Sequence, residues 1–259
     1  MTAPFLHVDQ VRIGYGAVEV IKDVSFEVAR GETFAIIGPN GAGKTTLFKA
    51  VTGEAPVRAG RVLLDGADIS RMPVHLRARA GLGRTFQVAR VFQGLTVLAN
   101  VIASVESRLR SLGRPCGPWY AWRPSAPVTR EAERLLDELA LGRLHHTEAR
   151  FLSHGDRKRL EIALALAQQP TVLMLDEPTA GMSHADRLGI VELLKRLRRD
   201  KGVTVVMTEH DMDVIFNLAD RILVLNHGEV IASGAPAEVR TNPLVREVYL
   251  GTEMVDAAA

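Results

Sequence analysis

Hydrophobic and polar positions along this chain follow two rhythms, and the change comes after a weakly patterned middle. Up to about residue 65, apolar positions alternate or run in short blocks near Gly14, Gly16, Gly31 and Gly60. This predicts strands over Leu6–Ile13, Val18–Val28 and Arg61–Leu64. Within that stretch Thr33-Phe-Ala-Ile-Ile37 is a short apolar run ending at glycine, which suits a buried strand, and a helix is predicted from Lys44. From Ser153 the order becomes helix, strand (Thr171–Leu175), helix (Ala185–Arg199), strand (Val203–Thr208), helix, strand (Ile222–Leu225). That alternation predicts parallel βαβ units.

The weaker region spans about Gln87 to Leu152. Helices are expected over Thr96–Leu109 and Thr129–Leu141, the second placing Ala132, Leu135, Leu136 and Leu139 on one face. The segment between them carries four prolines and reads as a loop, although Trp119, Tyr120 and Trp122 are unusual in one. The tail over Pro243–Gly251 suits a short helix, and the final Asp-Ala-Ala-Ala is expected to fray. The chain shows no internal repeat.

Composition narrows the class without naming a function. An apolar fraction of 47% and a charged fraction of 24% are ordinary for a soluble globular protein. A net charge of +2 demands no nucleic-acid partner, and Arg157-Lys158-Arg159 reads as a solvated helix face. Cys116 is the only cysteine, so no intramolecular disulfide forms and a reducing compartment is expected. The N-terminus lacks the basic start and apolar run of a signal peptide. No stretch reaches the roughly 18 apolar residues of a membrane span. The richest, Leu160 to Leu175, is broken by Glu161, Gln168, Gln169 and Pro170.

Two segments carry chemistry. Gly38-Pro39-Asn40-Gly41-Ala42-Gly43-Lys44-Thr45-Thr46 satisfies G-x-x-x-x-G-K-[ST] in the required context, after a strand and opening a helix. Its glycines let backbone N–H groups converge on phosphate oxygens, and the helix N-terminus adds partial positive charge. Lys44 would bridge the β- and γ-phosphates of ATP, and the Thr45 hydroxyl would ligate Mg²⁺. Val172-Leu-Met-Leu-Asp176-Glu177 places two acids at the C-terminal edge of a buried parallel strand, where such sheets bind ligands. Asp176 would hold Mg²⁺, and Glu177 would polarise the attacking water.

On these motifs the chain resembles the nucleotide-binding subunit of ABC transporters over nearly its whole length. The resemblance implies an α/β fold, a RecA-like P-loop NTPase core with an N-terminal antiparallel β subdomain and an inserted α-helical signature subdomain. It implies one domain over residues 1–259. Residues 1–86 and 168–240 would form the core and β subdomain, 87–167 the helical subdomain, and 241–259 a tail.

The resemblance also assigns further residues. Leu152-Ser153-His154-Gly155-Asp156 stands where the family has Leu-Ser-Gly-Gly-Gln and opens a helix over Asp156–Ala167. Ser153 and Gly155 would there face the γ-phosphate of ATP on an opposite subunit. Gln87, in Arg84-Thr-Phe-Gln87, matches the glutamine that senses Mg²⁺ and the permease. His210 matches the histidine that contacts the γ-phosphate, and Tyr15 the aromatic that stacks on adenine. Implied partners are a second ATPase subunit, membrane permease subunits and, indirectly, a solute-binding protein. The implied place is the cytoplasmic face of the inner membrane. The Trp119–Trp122 loop falls in the inserted lobe, which implies contact with the permease or membrane surface; a loop folded back on its own lobe is the alternative.

Three departures stand out: His154 replaces the second signature glycine, Asp156 replaces glutamine, and Ser183 stands where many relatives have an aspartate. None removes a phosphate, Mg²⁺ or base residue. Leu160-Glu-Ile-Ala163, Glu177-Pro-Thr-Ala-Gly181 and Glu209-His-Asp-Met212 resemble importers of branched-chain and other hydrophobic amino acids. So do the ending Asn242-Pro…Tyr249-Leu-Gly251 and the insertion around residues 107–130. Ser-His-Gly also resembles urea and short-amide importers, and Tyr-Leu-Gly the lipopolysaccharide-export ATPase, which lacks the insertion. A soluble ABC ATPase of ribosomes or DNA is disfavoured by the single nucleotide domain, the lack of heptads and the near-neutral charge.

Overall fold

The computed structural model describes residues 4–85, 90–114 and 124–248. The chain begins with β1 (Leu6–Tyr15), β2 (Val18–Val28) and β3 (Thr33–Ile37), followed by α1 (Lys44–Thr52), β4 (Ala59–Leu64), β5 (Ala67–Asp68), α2 (Val74–Arg79) and β6 (Leu82–Arg84). Two helices follow, α3 (Val97–Ser111) and α4 (Ala126–Glu138), then α5 (His154–Ala167). The rest alternates: β7 (Val172–Asp176), α6 (His184–Lys201), β8 (Thr204–Thr208), α7 (Met212–Leu218), β9 (Arg221–Asn226), β10 (Glu229–Gly234) and α8 (Pro236–Thr241).

Among the described residues the strands form two sheets. An antiparallel sheet has the order β2-β1-β4-β5, and a six-stranded sheet has the order β10-β9-β3-β8-β7-β6. In the second sheet β9, β3, β8, β7 and β6 pair in parallel, and only β10 runs against its neighbour. Every residue of β3, β7 and β8 is buried, as a parallel sheet covered on both faces requires. Alternate side chains feed two cores. Ala35, Ile37, Leu173, Leu175, Val205 and Met207 face α3 to α7, whereas Phe34, Ile36, Val172, Met174 and Val206 face α1 and the antiparallel sheet. Register decides what meets at the sheet's edge: Thr208 pairs with both Asp176 and Ile36, so the chain after β3 emerges beside the ends of β7 and β8.

The helix expected over Thr129–Leu141 spans Ala126–Glu138, because Pro127 lies in its first turn, where a missing N–H costs nothing. It stops at Leu139, and Ala140 follows with φ +59°. The signature helix begins at His154 rather than Asp156, with Ser153 as its N-cap. Strand β10 was not expected, although Asn226-His-Gly-Glu229 is a hairpin turn with φ +47° at His227 and +81° at Gly228. The short elements β5, α2 and β6 are likewise additional to those the pattern predicts.

The Arg157-Lys158-Arg159 run is not a solvated face. Helix α5 is packed around most of its circumference, and the Lys158 side chain, 5% exposed, lies 3.0 Å from the Glu161 carboxylate. Residues 243–248 are helical, in keeping with the expected tail helix.

Candidate nucleotide site

The loop between β3 and α1 is shaped by positions where a side chain cannot fit. A Cβ on Gly38 would lie 2.2 Å from the Leu225 carbonyl oxygen. One on Gly43, where φ is +103°, would lie 2.6 Å from the Ile21 side chain. Gly43 is also the N-cap of α1, so the loop delivers the backbone to a helix N-terminus with Lys44 as its first residue. The Lys44 ammonium donates to the carbonyls of Gly38 at 2.6 Å and Pro39 at 3.0 Å, which curls the loop around it. Burial lowers the Lys44 pKa, and the charges of Glu177 and Asp176 partly oppose that shift. The result is a cleft of about 350 Å³ lined by Val20, residues 40–46, Glu177 and His210.

The acids at the end of β7 are held by β8. The Thr208 hydroxyl donates to Asp176 Oδ1 at 2.8 Å and accepts from the Glu177 N–H at 3.1 Å. The Glu177 N–H also lies 3.1 Å from the Thr208 carbonyl oxygen. Asp176 is buried, with the Arg84 guanidinium 3.6 Å from Oδ2; Arg84 also pairs with Glu54. Glu177 leaves the strand with φ +46°, a costly conformation outside glycine, which turns its side chain into the cleft. There its Oε1 lies 2.9 Å from His210 Nε2.

The turn after Glu177 is clamped by Glu209, a residue outside the motif assignments. Buried Glu209 accepts from the Thr179 N–H at 2.9 Å and the Thr179 hydroxyl at 2.5 Å through one oxygen, and from the His210 N–H at 3.0 Å through the other. Thr208, Arg84 and Glu209 each stand in a motif-bearing segment beside a residue of assigned role. Their chemistry is invisible until strands pair, because a threonine at a strand end matters only for what stands beside it.

Other predicted residues sit elsewhere. Thr45 is exposed at the start of α1, on the same cleft as Glu177. Tyr15 ends β1 and is 52% exposed, outside the cleft lining, while Val20 of the following strand is part of it. Ser153 and Gly155 do not line this cleft; they open α5, where the Ser153 hydroxyl donates to Asp156 Oδ2 at 2.7 Å and accepts from the Asp156 N–H. Gln87 and the Trp119–Trp122 loop lie outside the described residues.

The sequence profile of ABC transporters matches residues 21–180, from β2 through the turn after Glu177. The chain belongs to the ABC transporter ATP-binding family. A second profile, of branched-chain amino acid ATP-binding cassette transporters, matches residues 229–255. The ABC cassette is 35% identical to the high-affinity branched-chain amino acid transport ATP-binding protein LivG of Salmonella typhimurium, over 97% of this chain and 99% of that protein. It is 39% identical to the lipopolysaccharide export system ATP-binding protein LptB of Acidithiobacillus ferridurans, over 90% and 91%.

Among solved structures, the ADP conformation of an ATP-binding cassette of an ABC transporter superposes with a TM-score of 0.85 at 30% identity, covering 96% and 100% of the two chains. A dimeric post-hydrolysis cassette bound to ADP and phosphate gives 0.75 at 26%, covering 89% and 98%. The P-loop NTPase architecture expected from the motifs is thus the observed one, and the ABC cassette is an ATPase whose hydrolysis is coupled to transport. None of its described helices is long and apolar enough to cross a membrane.

Proposed function

We propose that this chain is the ATP-hydrolysing subunit of an importer for branched-chain or other hydrophobic amino acids. The observation that carries the catalytic half of this reading is the Asp176–Thr208–Glu177–His210 chain of contacts facing the phosphate loop. In this reading Lys44 and the backbone N–H groups of residues 38–46, all but Pro39, hold the ATP phosphates. Glu177 takes the proton of the attacking water, and His210, hydrogen-bonded to it, orients the base and meets the γ-phosphate. Tyr15 stacks on adenine.

Mg²⁺ supplies neutralisation of phosphate charge when bound. The chemistry of the donors fits it: the Thr45 hydroxyl and the buried Asp176 carboxylate are oxygen ligands of the kind Mg²⁺ takes, and the family resemblance would add Gln87. Asp176 is oriented from behind by Thr208, as an outer-shell partner orients a ligand.

Two subunits acting as a pair complete the site. Ser153 and Gly155 lie away from their own cleft at the N-terminus of α5, a position suited to a phosphate held by another subunit. The dimeric ADP-bound relative supports that arrangement. The permease partner is supported by an apolar patch. Phe92, Leu95 and Phe151 are 63%, 41% and 70% exposed, on two segments joined by the bonds from the Arg150 N–H to Gln93 and from the Ala149 N–H to Leu95. Exposed apolar side chains on adjoining segments suit a partner-binding surface. With it, the chain sits peripherally on the cytoplasmic face of the inner membrane, and a solute-binding protein enters only through the permease.

The substrate class is supported by the profile match over residues 229–255 and by LivG. The LptB likeness favours a second reading, lipopolysaccharide export. The permease that co-purifies with the chain, and the ligand of its binding protein, decides between them. For the catalytic reading, Glu177→Gln is expected to abolish turnover and stabilise an ATP-dependent dimer. A variant that stays monomeric with MgATP would refute the paired site.

A further inference from the structure

Where many ABC cassettes carry the second signature glycine, this chain carries His154, and the side chain has a defined partner. It is the first residue of α5, and a helical Cα–Cβ bond leans toward the N-terminus, so the ring projects beyond the helix start. There its Nε2 lies 3.0 Å from the Ala180 carbonyl oxygen. A carbonyl only accepts, so Nε2 carries the proton in this contact. The ring also covers Gly181, where φ is +70° and a Cβ would stand 3.5 Å from Nε2.

Ala180 belongs to the turn that begins at Glu177. Its N–H donates to the Glu177 carbonyl at 3.3 Å, and the Met182 N–H donates to Thr179 at 3.2 Å. Glu209 grips this turn at Thr179, and His154 grips it one residue later. The adjoining helix starts are packed closely: a Cβ on Gly155 would lie 3.1 Å from the Asp186 carboxylate, itself bonded to Ser183, the N-cap of α6. The start of α5 and the turn after Glu177 are therefore in direct contact, and His154 adds a directional bond across it.

We propose that His154 is a positioning residue that latches the signature helix to the turn carrying Glu177. This rests on the reading of Glu177 as the base and of Ser153 and Gly155 as contacts to a second ATP. On that reading the latch joins the two nucleotide sites through one subunit. A shift of the α5 N-terminus when it meets phosphate on the partner reaches Ala180, three residues from the base that serves the subunit's own ATP.

The test measures steady-state ATP hydrolysis by the full chain assembled with its permease, for wild type, His154→Ala, His154→Gln and Glu177→Gln. His154→Ala is expected to lower kcat by about two- to fivefold, the worth of one net hydrogen bond, with KM for MgATP changed by less than about twofold. His154→Gln, whose amide N–H reaches the same carbonyl, is expected to restore most of the rate. His154 is exposed, so the melting temperature of both variants should stay within about 2 °C of wild type.

Wild-type kcat in His154→Ala, with turnover abolished in Glu177→Gln, would overturn the latch and leave the site assignment standing. Turnover surviving in Glu177→Gln would overturn the site assignment and the latch with it. A His154→Gln variant as slow as His154→Ala would also overturn the latch, by showing that the ring's packing matters and the bond does not.

Discussion

Thr208→Val removes one hydroxyl and nearly nothing else. Thr208 is 1% exposed and Asp176 3%, so water cannot replace what is lost. The hydroxyl donates to a carboxylate at 2.8 Å, and bonds to charged groups contribute about 1.5–3 kcal/mol net. Valine keeps the volume, so no cavity adds to the cost, while the Glu177 N–H retains the Thr208 carbonyl as acceptor. A loss of about 2 kcal/mol should lower the melting temperature by about 4–8 °C for a chain of this size. If the whole bond serves to hold Asp176 in register for catalysis, kcat falls by at most about 30-fold. Thermal melts without nucleotide and steady-state ATPase rates read the two effects separately. Thr208→Ser, which keeps the hydroxyl, is expected to hold kcat near wild type. A valine variant that melts within about 1 °C of wild type and turns over at the same rate would refute the reasoning.

Three further outcomes are expected. Burial places the Lys44 pKa below the usual lysine value of 10.5, so between those two values the unfolded chain binds more protons and stability rises with pH. In urea melts without nucleotide, wild type should gain stability relative to Lys44→Met as pH climbs toward 10.5; a constant difference counts against it. Arg77, 2% exposed, donates to the carbonyls of Ala50, Val51, Ser70 and Met72, tying the end of α1 to the segment before α2. Arg77→Met should destabilise by about 2–4 kcal/mol, with Arg77→Lys recovering less than half because the planar fork is lost; equal melting curves would sink this. Tyr15→Ala should raise KM for ATP about two- to tenfold, the range expected of one stacking contact, and Tyr15→Trp should largely restore it. An unchanged KM would remove Tyr15 from the adenine site.

The phosphate loop, Asp176 and Glu177, the parallel βαβ order and the family were legible in the sequence because each depends on residues adjacent along the chain. A glycine loop needs its glycines at fixed offsets, and a doubly covered strand announces itself as an apolar run, as Thr33–Ile37 and Val172–Asp176 do. Local chemistry also decides caps and turns, although their edges stay ambiguous in the sequence where proline can serve either a loop or a helix start, as at Pro127. What the tertiary structure alone decided is the company each residue keeps. Strand register brings Thr208 to Asp176 across 32 residues, and helix packing brings His154 to Ala180. Those pairings follow from how distant segments pack, and nothing in the local pattern of the chain encodes them.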